Sequence, residues 1–364
     1  MIHDFAIIGA GIAGASVAAR LVAHGSVVLI EAEAQPGYHS TGRSAAFWHE
    51  TLGGPIVQRL SVASLPALEE AGVLHPRCSL NVAEAGNVML LDALMQRFEG
   101  SDARLTRLDG EGVRRHVPRA SAALVGGVLE EKCADIDVAA LHARDLAAVR
   151  RGGGMLLTDF RTDRIEGGAG DWTISAGERA VRARTIVNAA GAWADGVARL
   201  AGARPLGIEP KRRTIAQVRV TTADVPADLP LTIDIAGSFY FKPEGSDRLW
   251  LCPHDETPVE ACDAAPEEID VAMAIDRFET VTDWRVAAVE RRWAGLRSFA
   301  PDRLPVFGPD ARVPGFFWCA GQGGVGIQTS PAAGWLCTAL LTGAALDGAL
   351  AAIDVDALAP ARFG

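Results

Sequence analysis

Three glycines near the start of the chain have the spacing of a dinucleotide-binding turn. Gly9, Gly11 and Gly14 form the pattern GxGxxG between an apolar run and a segment with helical spacing. The first glycine permits a tight turn, the second lets a diphosphate approach the backbone, and the third lets a helix pack on a strand. Phosphate oxygens would then meet free N–H groups at a helix N-terminus, where the helix dipole favours negative charge. The intervening residues of the predicted turn are Ala10, Ile12 and Ala13.

An acidic residue follows at the distance that such a site requires. Glu31 lies 17 residues beyond Gly14, at the end of a second apolar run, and Ala32 follows it. A carboxylate there can accept hydrogen bonds from ribose hydroxyls and would repel the 2′-phosphate of NADP. The glycines and Glu31 are compatible with either NAD or FAD.

The elements that must position these residues form one βαβ unit. We predict a strand over residues 4–8, a helix over 15–24 that ends at Gly25, and a strand over 26–30. Later segments are assigned by their apolar spacing and their glycine and proline residues. They comprise helices over 60–75, 92–115, 266–278 and 332–346, a β meander over 154–186, strands over 184–188 and 316–320, and a β-rich region over 207–260.

These patterns predict an α/β fold with two domains. A Rossmann-type cofactor domain would be discontinuous, because the nucleotide-binding motifs lie at both ends of the chain and near residue 190. We assign residues 1–79, 137–207 and 292–364 to this domain. Residues 80–136 and 208–291 would form a second, β-rich α+β domain that binds the substrate.

The composition excludes some classes of protein. The chain has 364 residues, 49% of them hydrophobic, and a formal net charge of -10. An acidic chain without a basic stripe is not expected to bind nucleic acid or an anionic membrane surface. The six cysteines form no CxxC pair and no metal-like spacing with histidines. We therefore expect no metal, no transmembrane segment and a cytoplasmic location.

Several further segments resemble the FAD-dependent D-amino acid oxidase and dehydrogenase superfamily, which includes the glycine and sarcosine oxidases. They are HSTGRSAA at 39–46, VNAAGAW at 187–193, GLRS at 295–298 and GQGGVGIQT at 321–329. Together with GxGxxG, these are five motifs in the family's order over nearly the whole chain. Within the superfamily they are most similar to the bacterial D-arginine dehydrogenases.

The resemblance implies FAD as the cofactor. Family members with covalent flavin use a cysteine near the segment that corresponds to 293–303, and this chain has none there, so we expect non-covalent binding. Beyond the first turn and Glu31, the motifs assign the following residues to the cofactor site: Ser40, Thr41, Gly42, Arg43, Ser44, Ala45, Ala46, Ala189, Gly191, Trp193, Gly295, Arg297, Gly323, Gly324, Gly326, Ile327, Gln328 and Thr329.

The last glycine loop precedes a predicted helix whose start is marked by Thr329, Ser330 and Pro331. A threonine hydroxyl can cap a helix and proline suits its first turn. The N-terminus of this helix, if it is directed at the flavin N1–C2=O edge, would stabilise anionic reduced flavin.

Three residues are candidates for holding an amino acid substrate. Arg297 is the first, because a guanidinium can bond both oxygens of a carboxylate. Tyr240 could donate its phenol hydroxyl to the same carboxylate. Arg213, in the basic run 211–213, is chosen because the resemblance assigns substrate contact to its position.

Other residues bear on the substrate side chain. Phe47, Trp48, His49 and Leu52 follow the GRSAA motif, and with Gly324 they are predicted to line the substrate pocket. D-Arginine dehydrogenases have histidine and tyrosine residues after this motif, and an acid near the segment aligned with 84–88. Because this chain departs from that pattern, we predict a neutral or apolar substrate. His39 is assigned a structural role in its loop.

The reaction that the resemblance implies is oxidation of the Cα–N bond of a small D-amino acid. Hydride transfer from Cα to flavin N5 would give an imine that hydrolyses to a 2-oxo acid and ammonia, with oxygen, a quinone or another compound as the electron acceptor. Two alternatives stay open. The substrate could be a secondary amine of the sarcosine or proline type or a 2-hydroxy acid, or the chain could be an FAD-carrying subunit that needs a partner.

Overall fold

The computed structural model describes residues 1–364 and contains two β-sheets with helices packed around them. The strands are β1 Ile2–Ile8, β2 Val27–Ile30, β3 Phe47–His49, β4 Leu74–Glu84, β5 Leu105–Asp109, β6 Leu124–Ile136, β7 Met155–Leu157, β8 Arg164–Gly168, β9 Asp171–Ala176, β10 Arg179–Asn188, β11 Glu209–Val220, β12 Leu231–Asp234, β13 Tyr240–Pro243, β14 Arg248–Cys252, β15 Thr257–Pro258, β16 Val286–Phe299, β17 Val306–Pro309 and β18 Phe316–Ala320. The helices are α1 Ile12–Leu21, α2 Gly54–Glu70, α3 Val88–Arg97, α4 Gly110–His116, α5 Val138–Arg151, α6 Ala194–Leu200, α7 Glu268–Val281 and α8 Ser330–Thr342.

The first sheet has the order β17-β18-β10-β1-β2-β7, with β8 and β9 attached beside β10. Strands β18, β10, β1, β2 and β7 run parallel, so their carboxyl ends meet at one edge. Strand β2 is buried on both faces, as expected for a parallel strand covered by helices. This sheet confirms the α/β class and places the GxGxxG turn, after β1, at the edge where such sheets bind ligands.

The second sheet has the order β15-β11-β14-β13-β12-β4-β6-β3, with β16 beside β11 and β5 beside β6. It is mostly antiparallel, and its longest pairing joins β11 to β16. Two of the predicted domain boundaries, at 79 and 292, fall inside β4 and β16. The second sheet therefore also includes residues 47–49, 74–79 and 292–299, which the sequence assigned to the cofactor domain.

One junction between the two sheets is fixed by a single carboxylate. Asp195, in the first turn of α6, accepts hydrogen bonds from the backbone N–H groups of Leu206, Gly207 and Ile208, at 3.0, 2.9 and 2.9 Å. Gly207 has a positive φ of 80°, which a glycine adopts without strain. The chain thus leaves the first sheet along a defined path and enters β11.

Several predicted elements differ from the structure. The predicted helix over 92–115 is wrong as a single element, because α3 ends at Arg97 and β5 precedes α4. The 60–75 helix begins earlier, at Gly54, and gives way to β4 at Leu74. Residues 155–157 of the predicted meander are instead the parallel strand β7 beside β2. Helix α8 ends at Thr342 because Gly343 takes a left-handed conformation, with φ 74°.

Candidate active site

A cavity with a volume of about 530 Å³ runs from the carboxyl edge of the first sheet to the second sheet. Most residues that the sequence assigned to the cofactor lie in its wall. They are Gly9, Gly11, Ile12, Ala13, Glu31, Ala32, Ser40, Thr41, Arg43, Ser44, Ala189, Gly191, Trp193, Gly295, Arg297, Gly323, Gly324, Gly326 and Ile327. Segments far apart in the chain thus converge on one elongated site.

The GxGxxG turn has the geometry that its glycines predict. Gly9 has φ 105°, and a Cβ at that position would lie 2.4 Å from the carbonyl oxygen of Ala189. A Cβ on Gly14 would lie 1.9 Å from the carbonyl oxygen of Gly9, so the helix approaches the strand closely. Only residues without a side chain fit these two positions, and Gly11, Ile12 and Ala13, at the start of α1, border the cavity.

Glu31 holds the loops at this end of the cavity. Its carboxylate accepts hydrogen bonds from the N–H of Ala10, at 3.0 Å, and from the N–H of Glu33, at 3.1 Å. Each oxygen keeps a further lone pair, and Glu31 borders the cavity at the end of β2. It can therefore stabilise the turn and accept from a ribose hydroxyl at once.

Part of this nucleotide end is formed by residues that no sequence motif identified. Residues 160–163 follow β7 and line the cavity beside Glu31 and Glu33. The Arg161 Nη2 donates to Glu33 Oε1 at 3.3 Å, and His39 Nε2 lies 3.0 Å from the same oxygen. Residues 155–157 form a parallel strand next to β2, so the residues that follow them reach the carboxyl edge of the first sheet. A prediction of this strand from the sequence would have placed 160–163 at the site.

The loop after β2 is tied to the second sheet. Ser40 Oγ donates to the carbonyl oxygen of Leu296 at 2.7 Å. Arg43 donates to the carbonyl oxygens of Ala264 and Ala294, at 2.8 and 3.2 Å, and forms an ion pair with Asp263. These bonds place the HSTGRSAA loop between the nucleotide end of the cavity and the end that the second sheet bounds.

The second sheet bounds the other end of the cavity, and Arg297 places a positive charge there. Arg297 lies on β16 and borders the cavity, and its guanidinium has no ion pair or hydrogen bond within the chain. A Cβ on Gly324 would lie 2.8 Å from its Nη1 atom, so the guanidinium rests directly against the last glycine loop. Burial, and secondarily the charge of Arg213, lower the pKa of Arg297 to about 10. The charge of Glu256 offsets this only in part, so an anion in the cavity would stabilise the charged form of Arg297.

Arg213 and Tyr240 face the same end. Arg213 pairs with Gly295 across the β11–β16 ladder, two positions from Arg297, so the two arginines are diagonal neighbours on one face of the sheet. Arg213 donates to Asp255 O at 2.8 Å and to Glu256 Oε1 at 3.1 Å, whereas its buried Nη1 has no partner.

The Tyr240 hydroxyl is likewise buried without a hydrogen-bond partner, and burial raises the pKa of Tyr240 well above its usual value. The phenol therefore remains a donor. Ser298, also in the cavity wall, is another residue whose hydroxyl lacks a partner. Unpaired buried donors are costly, so this end of the cavity is suited to a ligand that brings acceptor atoms.

His254 packs behind this group. Its ring meets the Tyr240 ring edge-on at 5.9 Å, and its Nδ1 lies 2.7 Å from the carbonyl oxygen of Gly237. Burial lowers the pKa of His254 to about 4, and the charges of Arg213 and Arg297 act in the same direction. The imidazole is therefore neutral, with Nδ1–H as the donor to the carbonyl.

The four residues predicted to follow GRSAA into the pocket do not border the cavity. Trp48 is core: it is 2% exposed and its Nε1 donates to Ser61 O at 2.9 Å. His49 is buried against Glu130, with 3.1 Å between Nε2 and Oε2. Leu52 lies in the turn before α2. The Phe47 ring packs edge-on against the Tyr240 ring, with 6.1 Å between the ring centroids, but Phe47 itself does not line the cavity. Strand β3 pairs with β6, and in this arrangement the Trp48 and His49 side chains are buried in the core.

Seven predicted cofactor residues lie behind the cavity wall. They are Ala10, Gly14, Gly42, Ala45, Ala46, Gln328 and Thr329. The capping role of Thr329 is also corrected, because its hydroxyl donates to Val325 O and caps no N–H group of α8. Ser64 of α2 supplies that cap instead, with its Oγ accepting from Ala332 N at 3.0 Å.

The parallel sheet, the GxGxxG turn and the cavity beside it define a dinucleotide-binding protein. The family model described as "FAD dependent oxidoreductase" (DAO) matches residues 4–340. The chain therefore belongs to the DAO family of FAD-dependent oxidoreductases, and its cofactor is FAD. The elongated cavity, the glycine turn and Glu31 fit the diphosphate and ribose of that cofactor.

A curated relative is the hydrogen cyanide synthase subunit HcnC of Pseudomonas aeruginosa, with 29% identity over 262 residues. The match covers 70% of this chain and 59% of HcnC, so the chain spans less than two thirds of that relative.

Solved structures show the same fold. Glycine oxidase from Geobacillus kaustophilus superposes with a TM-score of 0.85 at 22% identity, covering 99% of this chain and 98% of that one. L-Proline dehydrogenase from P. horikoshii also gives 0.85, at 18% identity, covering 100% and 98%. None of the helices of this chain has the length and apolarity needed to cross a bilayer.

Proposed function

We propose that the protein oxidises the Cα–N bond of a small amino acid, with a neutral or apolar D-amino acid as the favoured substrate. The observation that carries this proposal is the unpaired guanidinium of Arg297 at the end of the FAD cavity, beside the unpartnered Tyr240 hydroxyl and Arg213 Nη1. Three donor groups, one of them a guanidinium without an ion-pair partner, match the acceptor atoms and the charge of a single carboxylate.

The carboxylate would fix the substrate at its α-carbon. A bidentate contact with Arg297 uses two lone pairs of the carboxylate, and Tyr240 and Arg213 can donate to the remaining ones. This leaves the amine and the Cα–H to be oriented by the same anchor. Bound FAD supplies the acceptor for the hydride that leaves Cα.

The reaction itself needs little acid–base chemistry from the protein. The amine enters in its neutral form, loses a proton as the C=N bond forms, and the resulting imine is hydrolysed to a 2-oxo acid and ammonia. No carboxylate lines the substrate end: the three acidic residues of the cavity wall, Glu31, Glu33 and Asp163, lie at the nucleotide end. A cationic side chain such as that of arginine would have no acidic partner there.

This absence of an acid supports the neutral or apolar substrate over D-arginine, despite the motifs shared with D-arginine dehydrogenases. Ile215, which is 2% exposed, adds an apolar surface to the same end of the cavity. Phe47, Trp48, His49 and Leu52, which suggested an apolar pocket in the sequence, do not line the cavity and do not support the choice of an apolar substrate. Non-covalent FAD binding and a cytoplasmic location stay predictions from the sequence.

A secondary amine is the second candidate. Two proteins with the same fold are named for different kinds of amine. Glycine oxidase is named for a primary amine, and L-proline dehydrogenase is named for a cyclic secondary amine. The Arg297 anchor would hold the carboxylate of either.

Product analysis separates the two candidates. The purified holoenzyme is incubated with neutral D-amino acids, their L-enantiomers, sarcosine, proline and 2-hydroxy acids, with an artificial electron acceptor. The proposal expects ammonia and 2-oxo acid in equal amounts from neutral D-amino acids. Turnover of sarcosine or proline without ammonia would replace it by the secondary-amine function, and turnover of 2-hydroxy acids alone would contradict both.

A further inference from the structure

His142 connects the two loops that enclose the nucleotide end of the cavity. It lies on α5, is 8% exposed, and its Nε2 is 2.8 Å from the carbonyl oxygen of Ala10 in the GxGxxG turn. Its ring also abuts Gly37, in the loop after β2, where an added Cβ would lie 2.9 Å from the ring Cε1 atom. No motif assigned a function to this residue.

The hydrogen bond fixes the tautomer of the ring and the orientation of a peptide. A carbonyl can only accept, so Nε2 carries the proton. In a trans peptide the C=O and the next N–H point in opposite directions. Because the Ala10 carbonyl is held by His142 on one side, the N–H of Gly11 is directed to the other, and Gly11 borders the cavity.

The Gly11 N–H has no acceptor within the chain, whereas its neighbours are occupied. Ala10 N donates to Glu31 Oε2 at 3.0 Å, and Ile12 N donates to Thr41 Oγ1 at 3.0 Å. Gly11 N takes part in no backbone or side-chain hydrogen bond. A free N–H at the start of a helix, beside a glycine without a side chain, is a donor for a phosphate oxygen.

We propose that His142 is a positioning residue for the diphosphate of the cofactor. By holding the Ala10 carbonyl, it keeps the Gly11 N–H directed at the phosphate, and by contacting Gly37 it keeps the second loop closed on the same site. Its role is in binding the dinucleotide and is independent of the identity of the oxidised substrate.

The test compares ligands that do and do not contain the diphosphate. Apoprotein is prepared from wild type, His142→Phe, which keeps a ring without a donor, and His142→Gln, which keeps an N–H donor. The dissociation constants of FAD, ADP and riboflavin, and the Tm of each apoprotein, are measured. We expect H142F to weaken FAD and ADP about tenfold, in line with the loss of one oriented hydrogen bond. Riboflavin affinity should stay within about twofold, and H142Q should recover most of the loss.

Two outcomes would overturn the proposal. One is unchanged FAD and ADP affinity in H142F. The other is an equal loss for riboflavin together with a lowered apoprotein Tm, which would indicate a general structural role. His142→Leu is a second variant without a hydrogen-bond donor. If H142F does not fold, the ligand affinities of H142L are compared with those of H142Q instead.

Discussion

The guanidinium of Arg297 lies against Gly324, so closely that a Cβ on residue 324 would stand 2.8 Å from Nη1. Arg297 comes from a strand of the second sheet, and Gly324 from the loop that follows β18 in the first. The contact joins the proposed substrate anchor to the last glycine loop, so under the proposed function packing between the two sheets would set the position of a bound carboxylate relative to the cofactor.

Removing the Arg297 charge should impair turnover without removing the cofactor. For Arg297→Met we expect kcat/KM for a neutral D-amino acid to fall about 100-fold or more, because the carboxylate loses its charged anchor and its orientation. Arg297→Lys should recover only part of this, since an ammonium does not bond both oxygens in the same fork. Arg291→Met, an exposed arginine on the same strand, is the matched control and should resemble wild type. Wild-type kinetics in R297M would contradict the assignment.

A single methyl group at Gly324 should displace the anchor. Gly324→Ala places a Cβ at 2.8 Å from Arg297, and its backbone conformation is one that alanine can adopt. We expect KM to rise about tenfold, with FAD still bound, because a shift in the guanidinium weakens the carboxylate contact. Gly196→Ala is the control: this glycine also borders the cavity, and its added Cβ would meet nothing within 4 Å. Equal KM values for both variants would count against the contact.

The charge of the substrate side chain offers another test. D-Lysine and D-norleucine have side chains of similar length and differ in charge. Since no acid lines the substrate end of the cavity, we expect kcat/KM to favour D-norleucine by at least about tenfold, the penalty of bringing a cation next to Arg213 and Arg297 without a partner. A preference for D-lysine would show that an acidic group reaches the substrate after all.

Stability should fall in mild acid because of His254. Its pKa is about 4 in the folded protein against an ordinary value of 6.5, so between these pH values the unfolded chain binds more protons than the fold. The free energy of unfolding therefore rises with pH in this window, and it decreases by roughly 3 kcal/mol as the pH falls from 6.5 towards 4. Urea unfolding at pH 7 and pH 4.5 measures this, and the pH dependence should be smaller in His254→Asn. An unchanged pH dependence in that variant would assign the effect to other groups.

Glu31 should be needed for cofactor affinity. In Glu31→Gln an amide N–H₂ group replaces one oxygen, so one of the two backbone N–H groups, of Ala10 or Glu33, would face a donor. We expect the dissociation constant of FAD to rise about tenfold, measured by flavin fluorescence. Glu166→Gln, exposed on β8, is the control. Equal affinities in the two variants would contradict the role of Glu31.

The sequence predicted the cofactor end better than the substrate end, for a physical reason. The glycine turn, Glu31 and the glycine loop at 323–326 depend on local geometry, which spacing and residue type reveal. Trp48 and His49 follow a cofactor motif, and only the pairing of β3 with β6 determines that they face the core. The contributions of residues 160–163 and His142 depend on which strands and helices become neighbours, which local patterns do not encode.

Anaerobic reduction of the purified protein tests the central claim most directly. The holoenzyme is mixed without oxygen or another acceptor with a neutral D-amino acid, and the visible absorbance of the flavin is followed in wild type and in Arg297→Met. We expect rapid bleaching of the wild-type flavin and a bleaching rate in R297M at least about 100-fold lower at the same substrate concentration. A wild-type flavin that stays oxidised with every neutral amino acid, or an R297M protein that is bleached as fast as wild type, would contradict the account.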